Sequence, residues 1–571
     1  MFSNAFDFLK GPEGRSKTIA GRRRDPAVPR WPGGYELLAW ALGVWAVSSI
    51  PYAVGYLAVG PDRRFMGFAF NVSDHIQYFA WWRAFQQSLL ATNLLTPEPT
   101  PATYFNLLWW LLAQLTHLSG MGYEAIYQIL RAAAIGMTVG ALAFLYRWIV
   151  PSAQAARAMF AMAMLGSGFA WLHPLIKRLQ AFLPLPSPMA PYVPSIAEPN
   201  TFFSAIAYPH FLVALASIAA ILVLAVRGMS TGRWRDSLLA GALAFTLSLH
   251  HTYDLLTVGA VLGGILVWRA LIERRLPWKE AAHVGLALGM AAPGALYMTW
   301  LTHQDPTWRE VLAQFVNAGV FTPPPFQLLL LLGLPFLLAL IGLGDPRRWR
   351  AWTLPEAWMG IWFLVHLPLA YLPLSFQIHL LNGWQIPIAY WAVRGVERLA
   401  VWLRTGSVQP LMRWALVLSL PANLYLWGWR ILDISRGQPP YALHRDEVAA
   451  LDWLAGRGCD GGAVMAPEAV GAFVPMWTGC RAFLAHWTGT LRFFERREQA
   501  QAFYRPTMTE AERRALVQRY GIRYVIVGAD EGANGVEWTD IPWLALVFQR
   551  PKAAVLAVRM DASRSDGGHP R

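Results

Sequence analysis

Long apolar runs without a charge limit this chain more than any other feature. LLAWALGVWAVSSIPYAVGYLAVG (37–60) and FLVALASIAAILVLAV (211–226) contain no Asp, Glu, Lys or Arg. A run of roughly 18 residues or more crosses the hydrocarbon core of a bilayer as a helix. Inside lipid every backbone amide needs an internal partner, so helices are what such segments must form. Apolar residues make up 55% of the 571 and charged residues only 14%, which excludes an ordinary soluble protein. The pattern predicts an α-helical polytopic membrane protein anchored by its own spans. The first 32 residues are polar and basic, with no cleavable leader pattern.

About eleven spans are expected, over 37–59, 124–149, 155–173, 203–226, 237–251, 253–270, 281–301, 326–342, 355–374, 383–403 and 411–431. The stretch 237–270 reads either as two spans or as one long helix broken at His250-His251-Thr252. The net charge of +14 follows from where the arginines fall and does not point to nucleic acid. Arg15, Arg22, Arg23, Arg24 and Arg30 precede the first span, and the connections 227–236, 269–280, 343–350 and 394–413 are arginine-rich. These segments face the cytoplasm by the positive-inside rule. The loops 60–123, 174–202, 302–325 and 375–382 then face outside, and an odd number of spans leaves the C-terminus outside as well. The expected location is the inner (cytoplasmic) membrane.

The division that follows is a basic cytoplasmic segment over 1–32, a membrane domain over 33–435 with a long first outer loop at 60–123, an extracytoplasmic α/β domain over 436–560 and a disordered tail over 561–571. Within the outer loop, DHIQYFAWWRAFQQSLL (74–90) and FNLLWWLLAQLTHLS (105–119) read as helices lying in the membrane interface, separated by the proline-punctuated TNLLTPEPTPATYF. Beyond residue 441 charges become dense. GAVMAP, RAFLAHW, RYVIVG and AAVLAVR read as strands, and LRFFERREQAQAFY and TEAERRALVQRY as helices. Cys459 and Cys480 each precede a strand. They are either a disulfide closing a loop of roughly 20 residues or two buried thiols.

Asp74, in FNVSDHIQYF, is the leading chemical candidate. With Gln77 it imitates a capping box and would then only start a helix. As a base just outside the bilayer it would take the proton of an acceptor hydroxyl, with His75 assisting. Three further clusters lie toward the same side: Glu198 and Asn200 in IAEPNTFF, His250, His251 and Asp254 in LHHTYDLL, and Gln377 and His379 in LSFQIHLLNGW. Polar groups at such depth usually face a cavity or a partner. Arg131 lies within the second span, either snorkelling outward or gripping a lipid phosphate. Asp254 stands one turn from His250 and could share a cation with it. The first outer loop has no Asp-x-Asp, so a divalent cation lacks a clear motif and no metal site is assigned.

The cytoplasmic N-terminus, SDHIQY in the first outer loop, the interfacial helices around TPEPTPATYF, AEPNTFF, LHHTYD and the terminal α/β domain together resemble the GT-C superfamily of polytopic glycosyltransferases. The likeness is to bacterial members that use polyprenyl-phosphate sugars, and it covers essentially the whole chain. It implies a transferase moving a sugar from a polyprenyl-phosphate donor to a lipid, glycan or protein acceptor on the outer face. In such enzymes an acid of the first outer loop is catalytic, which maps to Asp74. Many have a second acid nearby. Here the neighbour is His75, and Glu98 and Glu198 are the nearest candidates, with Arg131 or an outer histidine for the phosphate. A transporter or flippase, or a non-catalytic envelope-assembly protein, shares the gross pattern. No internal repeat between halves is evident, and His366 is the main polar residue deep in a span, so the outer-edge clusters favour the enzyme.

Overall fold

The computed structural model describes residues 31–182, 194–317 and 321–559. The basic segment up to residue 30 and the tail 561–571 lie outside the described residues. Among the described residues, seven helical segments are long and apolar enough to cross a membrane: Gly34–Ala58, Tyr123–Ile149, Ala153–Leu179, Pro209–Thr231, Asp254–Glu273, Trp278–Gln304 and Pro325–Leu343. Shorter helices occupy the other expected spans: Trp234–His250, Leu354–Leu369, Gln385–Trp402, and the pair Gln409–Leu418 and Pro421–Ser435. The 237–270 stretch is two helices joined at His251–Tyr253.

Three of these elements break where sequence reading expected continuous spans, and the breaks meet. The helix Ala153–Leu165 stops at Gly166. Gly333, with φ +60°, interrupts Pro325–Leu343, and Pro335 in the same helix has no N–H to offer the preceding turn. The last pair is separated at Ser419 and Leu420. The carbonyls so freed find new donors: Phe169 N–H reaches Leu330 O at 2.7 Å, and Ser167 N–H reaches Ser419 O at 3.0 Å. The Ser167 hydroxyl adds a second bond to Ser419 O at 2.5 Å. Irregular backbone is tolerated at this depth because each exposed group is paired within the protein. Gly168 permits the approach, since a Cβ there would lie 2.0 Å from Leu331 O.

The segment 60–123 contains two helices, Val72–Phe85 and Leu107–Ser119, where two were expected. Asn106 caps the second by accepting from Leu108 N–H and Trp109 N–H. A short strand β1 (Arg63–Phe65) leads into the first and pairs antiparallel with β2 (Ala442–His444), where the C-terminal region begins. That region carries a five-stranded sheet built from β3 (Ala463–Met465), β4 (Arg481–Ala482), β5 (Ile522–Val527), β6 (Leu544–Arg550) and β7 (Ala553–Val558), in the order β4-β3-β5-β7-β6. β3 runs parallel to β4 and β5, while β7 runs antiparallel to β5 and β6. The helices Arg445–Arg457, Phe493–Phe503 and Glu510–Arg519 accompany it. β4 is far shorter than RAFLAHW suggested, and β6 was not anticipated. Because β3 and β4 are parallel neighbours, the residues just ahead of them meet, and Cys459 and Cys480 form a disulfide.

Candidate active site

The helix carrying Asp74 begins three residues earlier than a capping role for Asp74 requires. It starts at Val72 after Asn71, whose φ of 37° places it in the left-handed region. Asp74 therefore sits inside the first turn and its carboxylate is not a cap. Oδ2 accepts from Asn71 Nδ2 at 2.7 Å and from the Tyr208 hydroxyl at 3.1 Å. Oδ1 lies 3.3 Å from Nε2 of His486, a residue of the C-terminal region. Burial alone would raise the Asp74 pKa, but the hydrogen bonds and charge interactions from His486, His75 and Tyr208 outweigh it and hold the carboxyl below its ordinary value. The group stays ionised, 22% exposed, and a carboxylate has room for about four hydrogen bonds, so accepting three leaves one open.

His75 points the other way. It is fully buried, donates Nδ1–H to Asn71 O at 3.0 Å and accepts at Nε2 from the Tyr127 hydroxyl at 2.8 Å. Burial favours its neutral form. Its ring stacks on Tyr208 with centroids 5.5 Å apart, and the Tyr208 hydroxyl is the one that reaches Asp74. His75 thus braces the groups that hold Asp74.

A second network lies one aromatic layer away. Glu198 Oε1 is 2.8 Å from His379 Nδ1. The Tyr253 ring stacks on His379 at 4.8 Å, and its hydroxyl contacts His251 Nε2 at 2.8 Å. His251 Nδ1 is 2.6 Å from Asp254 Oδ2. Phe211 separates this network from Tyr208, packing on Tyr208, His251 and His379 with centroids 4.9, 5.5 and 5.8 Å away. His251 is the partner of Asp254, contrary to the helical spacing that favoured His250. The helix ends at His250, and the non-helical backbone of His251 (φ −149°, ψ 58°) resets the phase. His250 instead places Nδ1 2.7 Å from Thr246 O. His210, buried against Tyr78, Tyr208 and His251, completes the aromatic wall.

Other sequence candidates hold the framework. Arg131 is fully buried and donates to Ala205 O, Ser49 Oγ, Gln128 Oε1 and Ser48 Oγ. Its guanidinium lies over the Tyr52 ring at 4.2 Å. Because these donors are committed between helices, Arg131 neither snorkels outward nor presents itself to a phosphate. Asn200 caps the short helix Thr201–Ala207 and donates to Asn423 Oδ1 at 2.8 Å. Gln377 bonds Thr322 N–H and Leu372 O. Glu98 pairs with Arg496 of the C-terminal region at 2.5 Å. His366 lies within Leu354–Leu369, stacked on Trp384 at 5.4 Å.

Among the described residues, no group of three His, Cys, Asp or Glu side chains is placed to hold a metal ion. The oxygens of Asp74 face hydrogen-bond donors, which suits an oriented carboxylate better than a cation ligand. Sequence reasoning missed Asn71, Tyr208 and His486. Asn71 was within reach as the polar residue at the start of the helix. Nothing in the sequence ties His486 to a carboxylate 412 positions earlier.

No family model matches the chain, and no curated protein matches it. Among solved structures it is similar to the oligosaccharyltransferase of Archaeoglobus fulgidus in the apo form, with a TM-score of 0.52 and 12% identity, over 88% of this chain and 70% of that one. The same enzyme tethered to an acceptor peptide containing the NVT sequon gives a TM-score of 0.51 at 11% identity, over 88% and 70%. Its complex with Zn and sulfate gives 0.51 at 11%, over 91% and 73%. The likeness is one of fold, shared with the Archaeoglobus fulgidus oligosaccharyltransferase.

Proposed function

We propose that this chain is a membrane glycosyltransferase that takes a sugar from a polyprenyl-phosphate donor and passes it to a lipid, glycan or protein acceptor on the extracytoplasmic face. The observation that carries the reading is Asp74: an ionised, partly exposed carboxylate fixed by three donors at the start of an outer-loop helix. The acceptor oxygen attacks the anomeric carbon, the bond to the donor phosphate breaks with its electron pair leaving on phosphate, and the acceptor proton passes to Asp74. A carboxylate with a lowered pKa is a weak base, yet it suffices here. The attacking hydroxyl becomes strongly acidic only as the new C–O bond forms, so the proton moves late, to an acceptor already in place. With Arg131 committed elsewhere, charge on the departing phosphate falls to the outer histidines, of which His379 is 21% exposed.

The proposal includes about eleven crossings, a cytoplasmic N-terminus, and an extracytoplasmic domain over 436–560 above a membrane domain over 33–435. The disulfide of that region supports an oxidising compartment. An acceptor peptide is bound in one similar structure, which keeps a protein acceptor among the three classes.

The test is mass spectrometry of prenyl-phosphate lipids that co-purify with the protein in nanodiscs, comparing wild type with Asp74→Asn. The sugar-loaded form should accumulate in a variant that still folds and inserts. Bulk phospholipid alone in both proteins would count against the donor class, and normal turnover by Asp74→Asn would remove Asp74 from the chemistry.

A further inference from the structure

We propose that His486 is a positioning residue whose imidazole donates Nε2–H to Asp74, and that the loop carrying it makes the C-terminal region part of the reaction site. The inference rests on the reading of Asp74 as the reacting carboxylate.

The tautomer follows from contacts on the far side of the ring. Nδ1 of His486 faces the Thr488 N–H at 3.2 Å, the Gly489 N–H at 3.3 Å and the Thr488 hydroxyl at 2.9 Å. A backbone N–H can only donate, so Nδ1 must be the accepting nitrogen and the single ring proton sits on Nε2. That proton points at Asp74 Oδ1, 3.3 Å away. Protonating Nδ1 would set its own N–H against two amides in a site where His486 is 2% exposed. The ring is therefore held with its Nε2–H toward Asp74.

The placement of the ring is equally determined. The Thr490 hydroxyl accepts from Ala485 N–H and His486 N–H, at 3.0 and 3.2 Å, and donates to Leu95 O at 2.6 Å. Asn93 Nδ2 donates to Gly489 O at 2.8 Å. Gln314, on the outer helix after Trp278–Gln304, donates to Thr488 O and Thr490 O at 3.0 and 3.1 Å. Gly489 is in tight contact with Leu95, where a Cβ would meet Cδ1 at 2.4 Å. The loop 486–490 is thus gripped by two outer segments that flank Asp74, and loosening either one withdraws the imidazole. The titratable and polar groups facing Asp74 are His75 and Tyr78 from its own helix, Asn71 before it, Tyr208 from the adjoining span and His486 from the C-terminal region. His486 is the member that comes from outside the membrane part.

The test reads the Asp74 carboxyl without requiring turnover. Full-length protein in nanodiscs is coupled with a carbodiimide and an isotope-coded amine across a pH series, and labelling of the Asp74 peptide is quantified by mass spectrometry. His486→Phe should raise the labelling midpoint by about one pH unit, through loss of a hydrogen bond to the charged form. His486→Gln, which can place an amide N–H near the former Nε2, should stay close to wild type. Equal midpoints in wild type and His486→Phe would overturn the proposal, as would an equal rise in both variants. Because no sugar transfer is measured, this result is independent of whether Asp74→Asn accumulates the donor.

Discussion

Glu98, in the proline-rich turn between the helices Val72–Phe85 and Leu107–Ser119, and Arg496, on a helix of the C-terminal region, form an ion pair with Oε1 and Nη2 2.5 Å apart. Arg496 is completely buried while Glu98 is 28% exposed. The guanidinium also lies over the Tyr520 ring at 3.9 Å and bonds the Tyr520 hydroxyl. Removing one partner of such a pair strands the other, and the buried cation is the costlier one to strand. Glu98→Ala should therefore destabilise the docked C-terminal region by about 3 kcal/mol, the lower end of the range for broken buried pairs because Glu98 keeps some solvent. Arg496→Met, which leaves only a partly hydrated carboxylate behind, should cost less. Thermal unfolding followed by release of a tryptic C-terminal fragment measures both, and the reverse order would contradict the burial argument.

The same pair gives the protein an acid limit. Burial would raise the Glu98 pKa, but hydrogen bonds from Thr96 and Arg496 with the Arg496 charge lower it below the ordinary 4.5. A carboxyl whose folded pKa is depressed contributes stability that is present above its unfolded value and lost as pH falls through the folded one. Protease resistance of the C-terminal region should hold down to about pH 5 and decline below pH 4.5. Glu98→Gln should show a flatter decline, since the titrating group is gone. An unchanged acid profile in that variant would assign the limit to other carboxylates.

The meeting of three helix breaks predicts a sharp difference between two glycines. Ala at Gly168 would press a methyl onto the Leu331 carbonyl, part of the backbone, at 2.0 Å, and neither side can yield without breaking the 2.7 Å bond from Phe169 N–H to Leu330 O. Overpacking of this kind costs about 1–3 kcal/mol. Ala at Gly136, within Tyr123–Ile149 and with nothing within 4 Å of its Cβ position, should be neutral or stabilise by about 0.5–1 kcal/mol. Paired thermal-shift measurements in the same detergent test the contrast.

How far the sequence discloses this molecule depends on whether a feature is periodic or tertiary. Apolar runs and helix punctuation are local, so 123–149, 278–304 and Leu107–Ser119 are legible to within a few residues. The breaks at Gly166, Gly333 and Ser419 are not, because each is stable only through the carbonyl or amide supplied by another segment. The outer clusters could be placed near one face from span order, yet their pairing could not. His251 rather than His250 meets Asp254 because one non-helical residue turns the helix phase. Arg131 has the position expected of a phosphate ligand, but its donors are spent on Ser48, Ser49, Gln128 and Ala205, partners that no spacing rule connects. Asp74 stands out in the sequence as an acid of the segment 60–123, whereas the groups that hold it ionised come from three separate parts of the chain.

Glu198 and His379 offer the last test, because one geometry serves two possible roles for the acid. Glu198 is 7% exposed and His379 21% in their side chains, joined at 2.8 Å, with Tyr253 stacked on the imidazole. If Glu198 acts by orienting the ring, an amide serves nearly as well, because the Gln carbonyl still accepts from Nδ1–H. Glu198→Gln should then retain most of the conversion of sugar-loaded carrier to free prenyl phosphate, while Glu198→Ala, which lets the ring turn, should lose it. His379→Ala should slow conversion by about 10²-fold, as when a single donor to developing charge is deleted. Thermal stability of Glu198→Gln should match wild type, since the hydrogen bond and the packing survive. If Glu198→Gln instead falls as far as Glu198→Ala at unchanged stability, the negative charge of Glu198 is required in its own right, and the acid belongs with Asp74 among the groups that act on the substrate.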